Sequence, residues 1–111
     1  MCVFCEIVKG NIPSQCVYED EDVKVIKDLN PQAPVHLLVI PKEHYKDITE
    51  LTSARAATLG KALQTIGAHQ AEWGLSGGFR IVSNVGENGC QSVPHLHVHV
   101  LGGAKLSESM A

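Results

Sequence analysis

No apolar run in these 111 residues approaches the roughly 20 that cross a bilayer, and the N-terminal "MCVFCEIVKG" lacks the hydrophobic core of a signal peptide. A membrane partner is therefore not expected, and the expected compartment is the cytoplasm. Nor is there a basic stripe, since nine Lys and Arg stand against twelve Asp and Glu, a net charge of −3 with histidine neutral. That argues against a polymeric nucleic acid as partner. It leaves room for a small anion, which needs only a local pocket. No internal repeat, low-complexity tract or linker interrupts the chain, so residues 1–111 are expected to form a single domain. The four cysteines, Cys2, Cys5, Cys16 and Cys90, read in that compartment as thiols or metal ligands and not as a disulfide framework.

What is present alternates between two periods. "FCEIVKG" suits a short helix, with Phe4, Ile7 and Val8 at helical spacing and Gly10 as its stop. "QCVYED" and "DVKVIKDL" alternate with period two around an exposed acidic turn and predict a hairpin, with Cys16 buried in its first strand. The two prolines of "NPQAP" make a rigid connector to "VHLLVIP", an almost wholly apolar strand and hence a central one. From about Ser53 to Trp73, Leu59, Ala62, Leu63, Ile66 and Trp73 recur at steps of three and four, which predicts a long helix ended by Gly74. His69 falls at a polar, solvated position of that helix. "GFRIVSN" reads as a further strand and "VGENGCQSVP" as a long loop. Strands interrupted by one long helix indicate an α+β fold on an antiparallel sheet.

The last strand carries the chemistry. In "VPHLHVHVLGG", His95, His97 and His99 alternate with Leu96, Val98 and Val100. Strand geometry puts positions i, i+2 and i+4 on one face, roughly 7 Å apart, so one face is imidazole and the other aliphatic. His-x-His spacing suits a shared zinc ion. It equally suits one nucleophilic imidazole whose neighbours position an anion. The preceding loop favours the second reading, because Asn84, Ser92, Gly86 and Gly89 offer amide, hydroxyl and close backbone donors of the kind a phosphate needs. A catalytic zinc would want a general base, and no HExxH or similar pattern supplies one.

"HLHVHV", "DLNPQAPVHLLVIPKEH" and "GCQSVPHLHVHVLGG" together resemble the histidine triad family, in particular its nucleotide-binding, HINT-type phosphoramidate hydrolases. The similarity runs from about Phe4 to Gly103. It implies an antiparallel sheet of about five strands with one long helix and a short N-terminal helix, usually assembled as a homodimer. It implies a purine nucleotide substrate, a phosphoramidate or related nucleoside monophosphate conjugate, cleaved through a nucleotidyl-histidine on His97. A dinucleoside polyphosphate hydrolase, a nucleotide-binding module of weak activity and a zinc hydrolase are the alternatives. By matching position, His95, His99, His36 and Ser92 join His97 in catalysis. His99 and His36 would face the phosphate oxygens, and Ser92 the leaving group. Asp28 would hold the ribose hydroxyls, with Asn84 and Gln91 contacting the nucleotide. Phe4, Ile7, Ile26 and Leu29 fall at the apolar base pocket, although core packing explains them equally well. Where the family loop commonly has glycine this chain has Cys90, which would be strained if that position needs a positive φ.

Cys2-x-x-Cys5 is half of a zinc site by spacing, and nothing before it suggests a thioredoxin-like redox pair. Two buried thiols without a ligand are the remaining alternative. The resemblance implies a structural Zn2+ held by Cys2, Cys5, His44 and His95, with no organic cofactor.

Overall fold

The computed structural model describes residues 2–109. The chain opens with helix α1 (Val3–Val8), whose N-cap is Cys2, its Sγ accepting from the Cys5 N–H at 3.4 Å. Phe4 and Ile7, one helical turn apart, are its buried residues, and Gly10 at φ +83° turns the chain away as expected. The predicted hairpin follows as β1 (Cys16–Glu19) and β2 (Val23–Lys27), which pair antiparallel. Asp20 makes their turn, its Oδ1 accepting from the backbone N–H groups of Asp22 and Val23. A register shift between Cys16 and Tyr18 bulges this edge strand. Cys16, expected to be buried, is therefore exposed, because the extra residue re-aims the strand's start.

Strand β3 (Val35–Pro41) lies at the centre of a five-stranded antiparallel sheet in the order β1-β2-β3-β5-β4, with β4 spanning Phe79–Val82 and β5 spanning Val98–Gly102. The expected α+β architecture holds. β3 is buried on both faces, and its alternation divides the molecule. Leu37 and Val39 join Val23, Val25, Leu96, Val98 and Val100 under the long helix α2 (Ser53–Ala68), which contributes Ala62 and Ile66. Leu38 and Ile40 face the other way, where Ile26 and α1's Phe4 and Ile7 cover them.

Two expectations need correction along α2. Thr52 caps its start, accepting from the Arg55 N–H at 3.2 Å, but the helix ends at Ala68 and not near Trp73. His69 is the C-cap: its backbone N–H donates to the Thr65 and Ile66 carbonyls, and its ring Nδ1–H adds a second bond to the Thr65 carbonyl at 2.8 Å. Residues 69–74 form turns, ending at Gly74 with φ +75°. His69 is accordingly not a solvated helix residue, since its ring stacks on Trp73 at 4.8 Å and 19°. Leu63, part of the apolar period, points outward at 39% exposure.

The histidine segment is shorter as a strand than its alternation predicts. Only His99 lies within β5. His95 closes a bend over residues 93–95 and His97 sits in the irregular stretch before β5, where the Leu96 N–H donates to the Tyr45 carbonyl at 2.8 Å outside the sheet ladder. The alternation of faces persists, with Leu96 in the helix-side core and His95 and His97 against Phe4. No helix among the described residues is long and apolar enough to cross a membrane.

Candidate functional site

Backbone hydrogen bonds decide which nitrogen of each imidazole is free. His97, 4% exposed, donates its Nδ1–H to the carbonyl of His95 at 2.9 Å. In the neutral ring that leaves Nε2 with an in-plane lone pair. The Phe4 ring meets this imidazole edge-on at 4.9 Å, and Ser83 Oγ donates to the His97 carbonyl at 2.9 Å, pinning the residue from two sides.

His36, on the central strand, accepts the Gln32 N–H at Nδ1 (3.0 Å), so its proton must sit on Nε2. That Nε2–H faces His99 Nδ1 at 2.9 Å and the Asp28 Oδ2 at 3.4 Å. His99 therefore accepts at Nδ1 and carries its own proton on Nε2. The result is a directed relay, Gln32 to His36 to His99, ending in an N–H donor beside the His97 ring, whose centroid is 5.0 Å away. Burial, and then the neighbouring His97 and His36, hold the His99 pKa below its ordinary value, against a smaller pull from Asp28. His99 thus resists a second proton. Asp28 itself ties down the connector, its Oδ1 accepting from the Asn30 N–H at 2.8 Å.

Asp28, His36 and His99 also lie close enough to suggest a metal site. The relay argues otherwise. A metal at His36 Nε2 would push the proton to Nδ1, where it would confront the Gln32 N–H.

The loop before the histidines is fastened by Gln91. Its Oε1 accepts from the Gly86 N–H at 3.0 Å, and its Nε2 donates to the carbonyls of Lys46 (2.8 Å) and Val93 (3.0 Å). The side chain expected to contact nucleotide is thus engaged in holding the loop. Cys90 has φ +60°, so the cysteine does stand in the left-handed region that glycine prefers, and its N–H is donated to the Glu87 carbonyl. Ser92 is exposed at the loop's end, on an open depression of about 480 Å³ that it shares with Val3, Val93 and Pro94. Asn84 is half-buried. Of the four apolar candidates, Phe4, Ile7 and Ile26 are buried together, whereas Leu29 is 92% exposed beyond the end of β2.

At the other end of the row, Cys2, Cys5, His44 and His95 bring their donor atoms within 4.8 Å of one another. His95, fully buried, donates Nε2–H to the Pro41 carbonyl at 2.7 Å and so presents the lone pair of Nδ1 to the cluster. That Nδ1 lies 3.3 Å from Cys2 Sγ, 3.5 Å from Cys5 Sγ and 3.1 Å from His44 Nδ1, while Cys5 Sγ and His44 Nδ1 are 3.2 Å apart. A tetrahedral zinc with ordinary Zn–S and Zn–N bonds would hold its donors roughly 3.3–3.8 Å apart. These four distances match within a few tenths of an ångström, and the residues fit the ion. Burial, then the neighbouring His44 and His97, depress the His95 pKa against the bond to Pro41, while burial and the adjacent Cys2 raise that of the Cys5 thiol.

Four groups of the site were not identified by residue in the sequence. Gln32 and the carbonyls of Pro41 and His95 act through the backbone, which side-chain identity does not report. Ser83 precedes Asn84 at the strand's end, but no spacing tied its hydroxyl to His97.

Residues 9–106 match the model of the HIT domain. The chain is 46% identical over 109 residues to a 14 kDa zinc-binding protein of Zea mays, covering 95% of this chain and 84% of that one. It is 43% identical over 108 residues to an adenylylsulfatase of Arabidopsis thaliana, covering 95% and 73%. The fold superposes on a HIT family hydrolase from Clostridium thermocellum with a TM-score of 0.92 at 40% identity, covering 99% of this chain and 96% of that one.

Proposed function

The chain belongs to the HIT domain family, and from that premise we propose that it is a nucleotide hydrolase or transferase that cleaves purine nucleoside phosphoramidates through a covalent intermediate on His97. The observation that carries this reading is the bond from His97 Nδ1–H to the His95 carbonyl, which leaves Nε2 as the free nucleophile.

The Nε2 lone pair attacks the α-phosphorus. The phosphorus–nitrogen bond to the leaving amine breaks as the new one forms, and the departing nitrogen takes a proton from Ser92 or a water beside it. His97 is then a nucleotidyl-imidazolium whose remaining N–H stays on the His95 carbonyl, and the positive ring is a good leaving group. Water attacks the same phosphorus, returns a proton to Ser92 or to the water that protonated the leaving nitrogen, and expels neutral His97 together with the nucleoside monophosphate. The N–H of His99 aims at the phosphate oxygens, with His36 holding His99 in its tautomer. Asp28 Oδ2 accepts from the ribose hydroxyls, with Leu29, Ile26, Phe4 and Ile7 about the base. Asn84 contacts the phosphate side. Gln91 supports the loop from which Ser92 projects.

We read Cys2, Cys5, His44 and His95 as the ligands of a structural Zn2+, which would complete a tetrahedron and close it to substrate. The zinc-binding maize relative supports this. Residues 1–111 form one HIT domain in this reading. A homodimer is supported by the edge strand β4, where Phe79 and Ile81 stand 38% and 46% exposed. Four free cysteines accord with a reducing cytoplasm.

The test is rapid quenching of the protein with adenosine phosphoramidates, followed by intact mass. An adenylyl adduct that is absent from His97→Ala supports the reading, and turnover without any adduct overturns it. The adenylylsulfatase relative favours a second leaving group, sulfate in place of an amine, so adenylyl sulfate belongs in the same panel.

A further inference from the structure

The metal cluster and the nucleophile share a wall. Helix α1 has six residues, too few to persist on its own. Its N-cap, Cys2, and its third residue, Cys5, are both ligands in the cluster, and between them Phe4 reaches inward. The Phe4 ring touches both halves of the site, edge-on to His95 at 5.9 Å and to His97 at 4.9 Å. A second link runs through the backbone, because His95 offers its Nδ1 to the cluster and its carbonyl to the His97 N–H. Whatever draws the four ligands together therefore places Phe4 and the His95 carbonyl at once. Away from the cluster, α1 is held by Phe4 and Ile7 in their apolar contacts and by Lys24, whose Nζ donates to the Ile7 carbonyl at 3.0 Å.

We propose that metal and nucleotide bind cooperatively, with α1 as the shared wall and Phe4 as the residue that couples them. The inference rests on the nucleotide and zinc readings above. With the cluster filled, α1 is latched and Phe4 walls the pocket beside His97. With it empty, α1 loosens and the pocket loses that wall. Coupling between two sites is reciprocal, so nucleotide must tighten zinc by the same factor that zinc tightens nucleotide. Phe4 acts here as a positioning residue, and the protein's affinity for nucleotide follows the zinc available to it.

The test measures affinities and not turnover. Adenosine monophosphate is titrated calorimetrically into zinc-loaded and chelator-stripped protein, and zinc affinity is measured against a chromophoric chelator with and without saturating nucleotide. The expected result is mutual tightening of about fivefold or more in both directions. Phe4→Ala should weaken zinc and nucleotide binding individually, because Phe4 also packs α1, but should make each affinity independent of the other ligand, a change that a purely structural metal would not produce. Equal nucleotide affinity in both forms overturns the coupling and leaves the nucleotide site standing. So does coupling that survives in Phe4→Ala. Global loss of the circular-dichroism signal on stripping also overturns it, because the metal then holds the whole fold. Protein that takes zinc but binds nucleotide in neither form overturns the nucleotide reading together with the coupling. Protein that never takes zinc overturns the metal reading and the coupling alike.

Discussion

The two faces of the central sheet come from the same strands and are built for different purposes. On β3 the odd positions Leu37 and Val39 enter an aliphatic core under a sixteen-residue helix, while the even positions His36, Leu38 and Ile40 face the histidines and a six-residue helix. The helix face buries apolar surface almost without polar atoms. The histidine face buries His36, His95 and His97 and satisfies their rings with backbone groups. Stability and chemistry are thus separated by residue parity, and substitutions on the two faces should fail differently.

The sharpest contrast comes from His97→Ala, which should lower turnover by about a thousandfold or more while lowering the thermal midpoint less than a truncation in the aliphatic core does. Steady-state kinetics beside a melting curve would show it, and a large loss of stability would break the separation. Ile66→Ala on the opposite face should do the reverse. It should cost about 2–5 kcal/mol of stability by denaturant titration, with kcat retained wherever the variant is folded. A weaker effect, confined to the histidine face, is expected of Asp28→Ala. Losing a charge-assisted bond to the ribose should weaken ribonucleotides by about 1.5–3 kcal/mol and their 2′-deoxy analogues much less. Equal losses would reduce Asp28 to its turn bond with Asn30.

Smaller still, Cys90→Gly should stabilise the protein by at most about 1 kcal/mol, since relief of the left-handed strain is partly cancelled by the freedom glycine gains when unfolded. The gentlest effect is pH. The folded protein holds His99 below its ordinary value of 6.5, so the unfolded chain binds the proton more readily. Stability from this group is complete above that value and declines as pH falls through it, until the folded ring also protonates. The thermal midpoint should be level above neutrality and fall below it, and His99→Gln should flatten that slope.

Much of this division is visible in the sequence, because parity is a local property. The alternation of "HLHVHV" predicted two unlike faces, the apolar run "VHLLVIP" predicted a central strand, and the triad resemblance named His97. What stayed hidden depends on partners far along the chain. β5 begins only at Val98 because the Leu96 N–H goes to Tyr45, and no local pattern announces that bond. Cys16 is exposed because an edge bulge breaks the period that would have buried it. α2 ends at Ala68, where His69 bonds back to the Thr65 carbonyl and stacks on Trp73, and composition alone reads His69 as a surface residue. The relay from Gln32 was invisible for a different reason, since it uses an amide every residue possesses.

The strand order carries a consequence for how the protein comes to be made. β5 is the last strand among the described residues, yet it lies between β3 and β4 and supplies pairing to both. His36 and His99 meet only when a loop of 63 residues closes. A ribosome that has released everything up to β4 has therefore made both sheet margins that β5 will join, and no site. Pairings at such range are slow to form, and open edges invite association with other chains. Truncation just before the histidines should leave an aggregating chain and not a folded, inactive one, because the segment that brings the nucleophile is also the one that closes the sheet.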